Sequence, residues 1–137
     1  MVERTLFLYA EFMAYIKFQN NPKHKATGDC VVRALSILTG MTWEQAYINV
    51  CAQGYKMAEM PSTNSVWGAY LRELGYVREA LPNTCPDCYT IKEFCDDHPR
   101  GQYAVATGTH VVAVVDGDYL DAWDSGNETP IYFWRRS

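Results

Sequence analysis

Residues 102–124 read QYAVATGTHVVAVVDGDYLDAWD, and no other stretch constrains the fold as much. Two runs rich in β-branched and aromatic residues flank Asp116-Gly117. Both residues of that pair tolerate positive φ, which makes it a strong short-range hairpin signal. PIYFWRR, at 130–136, supplies a further strand. The last third of the chain is therefore expected to form an antiparallel sheet.

The preceding stretch is helical in pattern. Asp29 or Cys30 opens a helix that Thr39-Gly40 closes, with Val31, Leu35, Ile37 and Leu38 on its apolar face. Thr42 with Gln45, and Thr90 with Glu93, have the capping-box spacing that starts a helix; Pro99 stops the second of these. Between them a helix begins at Ser62, Thr63 or Asn64 and ends at Gly75, with Trp67, Tyr70, Leu71 and Leu74 recurring as core positions. Near the N-terminus, Phe12, Ala14, Ile16 and Phe18 alternate as in a strand. Helices followed by a sheet give a single α+β domain over residues 1–137, and 48% hydrophobic residues suffice for its core.

Charge and cysteine usage narrow the setting. Twelve basic against 16 acidic residues, a net charge of −4 and no basic block lack the footprint of a nucleic-acid binder. No apolar run reaches the roughly 18 residues of a membrane span. The first 18 residues, broken by Glu3, Glu11 and Lys17, make a poor signal peptide. Five cysteines without an export signal point to reduced thiols and a cytoplasmic location.

Cys30 occupies the first turn of its helix. There the unpaired N–H groups and the positive end of the dipole favour a thiolate, the reactive form of cysteine. A thiol nucleophile needs a base, and the base needs an orienting group. Of the three histidines, His110 begins a strand of the hairpin. A three-residue turn, 116–118, sets His110 opposite Asp124; a two-residue turn, Asp116-Gly117, sets it opposite Trp123 with Asp121 one diagonal step away. Asp124 is the preferred partner and Asp121 the alternative. Trp123 lies between the two acids and is expected to fill the core, with shielding of the His–Asp hydrogen bond from water as the other role open to it.

The order Cys30, His110, Asp resembles the papain-like cysteine peptidases, in which a helix-start Cys packs on a sheet bearing the His and then an Asn or Asp. The leader-peptidase domains of bacteriocin exporters are the nearest likeness: their Asp-Cys is similar to Asp29-Cys30, and their strand-turn-strand with a closing Asp is similar to residues 110–124. The chain also resembles small proteins of phages and Firmicutes carrying GDCVVRA and a late DxWDSG. TGDCVVRAL further resembles the DGNCLFRAL signature of OTU-type deubiquitinases, although Val111 stands where those enzymes carry an aromatic residue after the His. Papain-like enzymes place an oxyanion-binding Gln six residues before the Cys, where this chain has His24; Asn20 and Asn21 are other candidates, and Cys30 N–H is one donor.

These resemblances imply acyl transfer without a cofactor, on a peptide or protein substrate. Cys30 attacks a peptide or isopeptide carbonyl, His110 moves the proton, and Asp124 or Asp121 holds the imidazole. The alternative is a catalytically silent binding module on the same fold, of phage or mobile-element origin, engaging a host protein. Separately, Cys85, Cys88, Cys95 and His98 have a C-x2-C-x6-C-x2-H spacing that suits a structural zinc, against the simpler reading of Cys95 as a core residue and His98-Pro99 as a helix stop.

Overall fold

The computed structural model describes residues 14–82 and 88–136. Its elements run β1 (Tyr15–Lys17), α1 (Cys30–Thr39), α2 (Trp43–Met57), α3 (Asn64–Glu73), β2 (Tyr76–Ala80), α4 (Ile91–Asp97), β3 (Gln102–Ala106), β4 (Val111–Val115), β5 (Asp118–Asp121) and β6 (Tyr132–Arg136). The fold is mixed α+β. Six strands form one sheet in the order β1-β5-β4-β3-β6-β2. All pairs are antiparallel except β1 with β5, which is parallel. Phe12 lies outside the described residues.

Local chemistry accounts for the helix starts. Thr42 and Thr90 both close reciprocal capping boxes, with Gln45 and Glu93, that satisfy N–H groups otherwise without an intrahelical partner. α1 ends at Gly40, whose φ of 77° is left-handed and lets its N–H return to Ser36 O.

The strands alternate small and large residues between two buried faces. Ala104, Ala106, Val111, Ala113, Tyr132 and Trp134 join Leu35, Val50, Trp67 and Leu71 of α1, α2 and α3 in one core. Val105, Val112, Val114, Tyr119 and Phe133 join Ile91, Phe94 and Cys95 of α4 in another. The sheet is thus covered on both sides, and the alanines of β3 and β4 leave room for α1 to lie close. Gly68 serves the same end on α3, where an added Cβ would stand 2.9 Å from Trp134 Cζ2.

The hairpin register positions the site. Val115 pairs with Asp118 and Val114 with Tyr119, so the turn is the two residues Asp116 and Gly117, with φ of 50° and 84°. Positive φ at both is the primed turn geometry that matches the right-handed strand twist. β1 closes the outer edge of β5: Tyr119 N–H donates to Ala14 O (2.9 Å) and Phe18 N–H to Asp121 O (2.8 Å).

Candidate active site

α1 carries Cys30 on its first residue, and the strand entry before β4 carries His110. His110 Nε2 lies 2.6 Å from Asp121 Oδ2 at the end of β5. With Nε2 engaged, Nδ1 is the ring nitrogen left for Cys30, to which His110 also hydrogen-bonds. The two-residue turn therefore selects Asp121. The preference for Asp124 required a three-residue turn and is corrected: Asp124 is exposed, takes the Tyr119 hydroxyl on Oδ1 and also accepts from Gly126 N–H.

Asp121 is 1% exposed and fully satisfied. Oδ2 accepts from His110 and, at 2.5 Å, from Ser125 Oγ; Oδ1 accepts from Arg33 Nη2 at 2.8 Å and from Ala122 N–H at 2.8 Å. Arg33, also buried, gives its other terminal nitrogen to Asp29 Oδ1 at 2.5 Å, and Trp43 Nε1–H holds Asp29 Oδ2 at 3.0 Å. Asp29 thus precedes the helix without capping it. Its carboxylate anchors the arginine that ties α1 to β5. A buried guanidinium is tolerable only when paired in this way.

The electrostatics favour an ion pair. Burial pushes the Cys30 thiol up, but the His110 hydrogen bond, the Val111 N–H and the positive charges of His110 and Arg33 outweigh it and hold the thiol below its ordinary value. Burial acts to lower His110, yet its hydrogen bonds to Asp121 and Cys30 and their negative charge raise it to about 9. Burial likewise raises Asp121, and the bonds from His110, Ser125 and Ala122 bring it below the usual carboxylate range. These directions all favour thiolate beside imidazolium.

Cys30 and His110 open on a 280 Å³ cleft walled by Gly28, Ser62, Asn64, Trp67, Gly108 and Thr109. Trp123 does not fill the core as expected. It is 49% exposed and lies over the imidazole, with ring centroids 4.4 Å apart. His24 is exposed at φ 53° and does not line the cleft, so its place as oxyanion donor is withdrawn. Neither Asn20, whose Nδ2 donates to Ser36 Oγ, nor Asn21, whose Oδ1 accepts from Lys23 and Lys25 N–H, lines the cleft. Besides Cys30 and His110, the polar side chains that line the cleft are Ser62, Asn64 and Thr109, which residue spacing does not single out.

The zinc spacing does not assemble a site among the described residues. Cys85 lies outside them. Cys88 is disulfide-bonded, which also corrects the expectation that every thiol is reduced. Cys95 is buried in the core with Ile91 and Phe94. His98 stacks on Phe94 at 3.8 Å and bonds its Nδ1 to Phe94 O. Cys30, Cys51 and Cys95 are free. Among the described residues no helix is long and apolar enough to cross a membrane.

Comparison with protein-family models, with curated proteins and with solved structures finds no match to this chain.

Proposed function

We propose that the protein is a papain-like cysteine hydrolase that cleaves a peptide or isopeptide bond. One observation carries this reading: the helix-start Cys30 shares His110 with a buried carboxylate 2.6 Å from the other ring nitrogen. Nucleophile, base and orienter stand in the order that acyl transfer requires. The resemblance of Asp29-Cys30 and of residues 110–124 to bacteriocin-leader peptidases, and of TGDCVVRAL to the OTU-type signature, points the same way.

The steps follow from the groups present. Cys30 Sγ attacks the carbonyl carbon, and the oxyanion accepts from the N–H groups of the first turn of α1. As the tetrahedral adduct collapses, the C–N bond breaks and His110 Nδ1 gives its proton to the departing amine. Water, losing a proton to the now neutral His110, attacks the thioester and releases the acid and the Cys30 thiolate. Asp121 remains ionised throughout, held by Arg33 and Ser125, and fixes the imidazole plane.

The test is the rate of iodoacetamide labelling of Cys30 against pH, located by mass spectrometry, in the native chain and in His110→Ala. The expected result is a low apparent pKa that rises when His110 is lost. A Cys30 no faster than Cys51, and indifferent to His110, would favour the catalytically silent binding module instead.

A further inference from the structure

Beyond Asn64 the wall of the Cys30 cleft passes into a second cavity of 410 Å³, between α3 and the β2–β6 edge. Two guanidinium groups line it. Arg72 lies 5.1 Å over the Trp134 ring and Arg78 4.0 Å over the Tyr132 ring. Arg33 and Arg135 are paired with carboxylates, but among the described residues neither Arg72 nor Arg78 has an acidic partner.

A guanidinium held over an aromatic face keeps its N–H rim directed away from the ring, and no carboxylate among the described residues takes those donors. Two such forks converging on one cavity, in a chain whose net charge is −4, match a carboxylate, which accepts two parallel N–H bonds from a fork. Ser65 adds a hydroxyl to the same wall, and Gly68 lets the Trp134 indole that carries Arg72 pack directly against α3.

From these features we infer that the cavity receives an acidic side chain of the substrate peptide, bound by Arg72 and Arg78. The inference rests on the assignment of Cys30 as nucleophile. The distance sets where that side chain falls. Asn64 and Arg72 are eight positions apart on α3, a rise of about 12 Å, which an extended peptide spans in about three to four residues. The preferred substrate therefore carries Glu or Asp about three to four residues beyond the one that lies against Asn64.

Chloroacetyl tetrapeptides, with Glu or its neutral isostere Gln placed at each position in turn, test this beside iodoacetamide, which has no side chain to recognise. In the full chain one distal Glu peptide should label Cys30 about tenfold faster than its Gln counterpart. That preference should fall to within about twofold in the Arg72→Gln/Arg78→Gln double variant, and partway in Arg78→Gln alone, with the iodoacetamide rate unchanged in both. Equal rates for Glu and Gln at every position in the native chain would overturn the inference, as would a preference that survives the double substitution, while rapid iodoacetamide labelling left the nucleophile intact. A Cys30 inert to iodoacetamide as well would overturn the nucleophile assignment and the inference with it.

Discussion

Arg33 and His110 share one carboxylate. Asp121 accepts the guanidinium on Oδ1 and the imidazole on Oδ2, so the group that orients the base is also the group that fastens α1 to the sheet. Asp121→Asn removes the anion from both partners. It should slow Cys30 labelling at neutral pH by at least about tenfold and lower stability by about 3 kcal/mol, because Arg33 is left with half of its compensation. Asp124→Asn is the control: Asp124 bonds Tyr119, not His110, so its labelling rate should match the native chain. Equal labelling of the Asp121 variant and the native protein would remove the orienting role.

The ion pair has a distinctive effect on stability against pH. In the folded protein Cys30 titrates below its ordinary 9.0 and His110 near 9, whereas the unfolded His titrates near 6.5. Between those last two values, once Cys30 has ionised, the folded site holds one proton on His110 and the unfolded chain one on Cys30. The counts match, so this pair adds no slope. In Cys30→Ser the thiol's proton is gone from both states while the folded His110 still holds its own. His110 loses the part of its upward shift that Cys30 supplies and keeps the part from Asp121, so stability falls as pH rises above about 6.5, the direction set by a raised pKa. Urea midpoints measured from pH 6 to 9 should decline in the variant and stay flatter in the native chain. Parallel curves would mean that the two groups do not share a proton.

Gly68 tests the packing beside the Arg72 and Arg78 cavity. A Cβ at this position would stand 2.9 Å from Trp134 Cζ2, and that indole is buried between α3 and β6. Gly68→Ala should cost about 1–3 kcal/mol, the usual penalty of overpacking, despite the gain in helix propensity that the same change would bring at an open site. A variant as stable as the native chain by urea titration would show that the indole moves freely.

The capping boxes offer a smaller, local test. Thr42→Ala removes the hydroxyl that accepts from Gln45 N–H at 3.1 Å and should cost about 1 kcal/mol. Thr42 stands apart from the Cys30 cleft, so labelling of Cys30 should be unaffected. A change in labelling without a change in stability would count against the separation of the two.

Short-range chemistry made much of this fold readable. Both capping boxes, the left-handed Gly40 and the Asp116-Gly117 turn act through residues a few positions apart, and each stands where its local pattern put it. β2 is not legible because YVREA, an edge strand, buries only Tyr76 and exposes Val77, Arg78 and Ala80, too little alternation to register. For the third member of the candidate site the sequence leaves one ambiguity, the length of one turn, and that length decides between Asp121 and Asp124. Arg33 was missed for a different reason. Its spacing from Asp29 is the ordinary i,i+4 pattern of a solvated helix face, and what buries it is a partner 88 residues away. Trp123 was misjudged because the pattern of a strand does not say where the strand ends: β5 stops at Asp121, which leaves the indole outside the sheet and over the imidazole.

The parallel pairing of β1 with β5, which sets Tyr15 beside Tyr119 and Lys17 beside Asp121, has a consequence in time. It closes a loop spanning most of the chain, and contacts so distant in sequence carry the largest closure entropy and form slowly. His110 and Asp121 belong to the same late-assembling sheet, whereas α1 can form from neighbouring residues alone. A nascent chain that has emerged only as far as α3 carries Cys30 with neither partner, an ordinary thiol at a helix end. Its lowered pKa is expected only once the final third of the chain has docked, so Cys30 stays an ordinary thiol while the protein is being made.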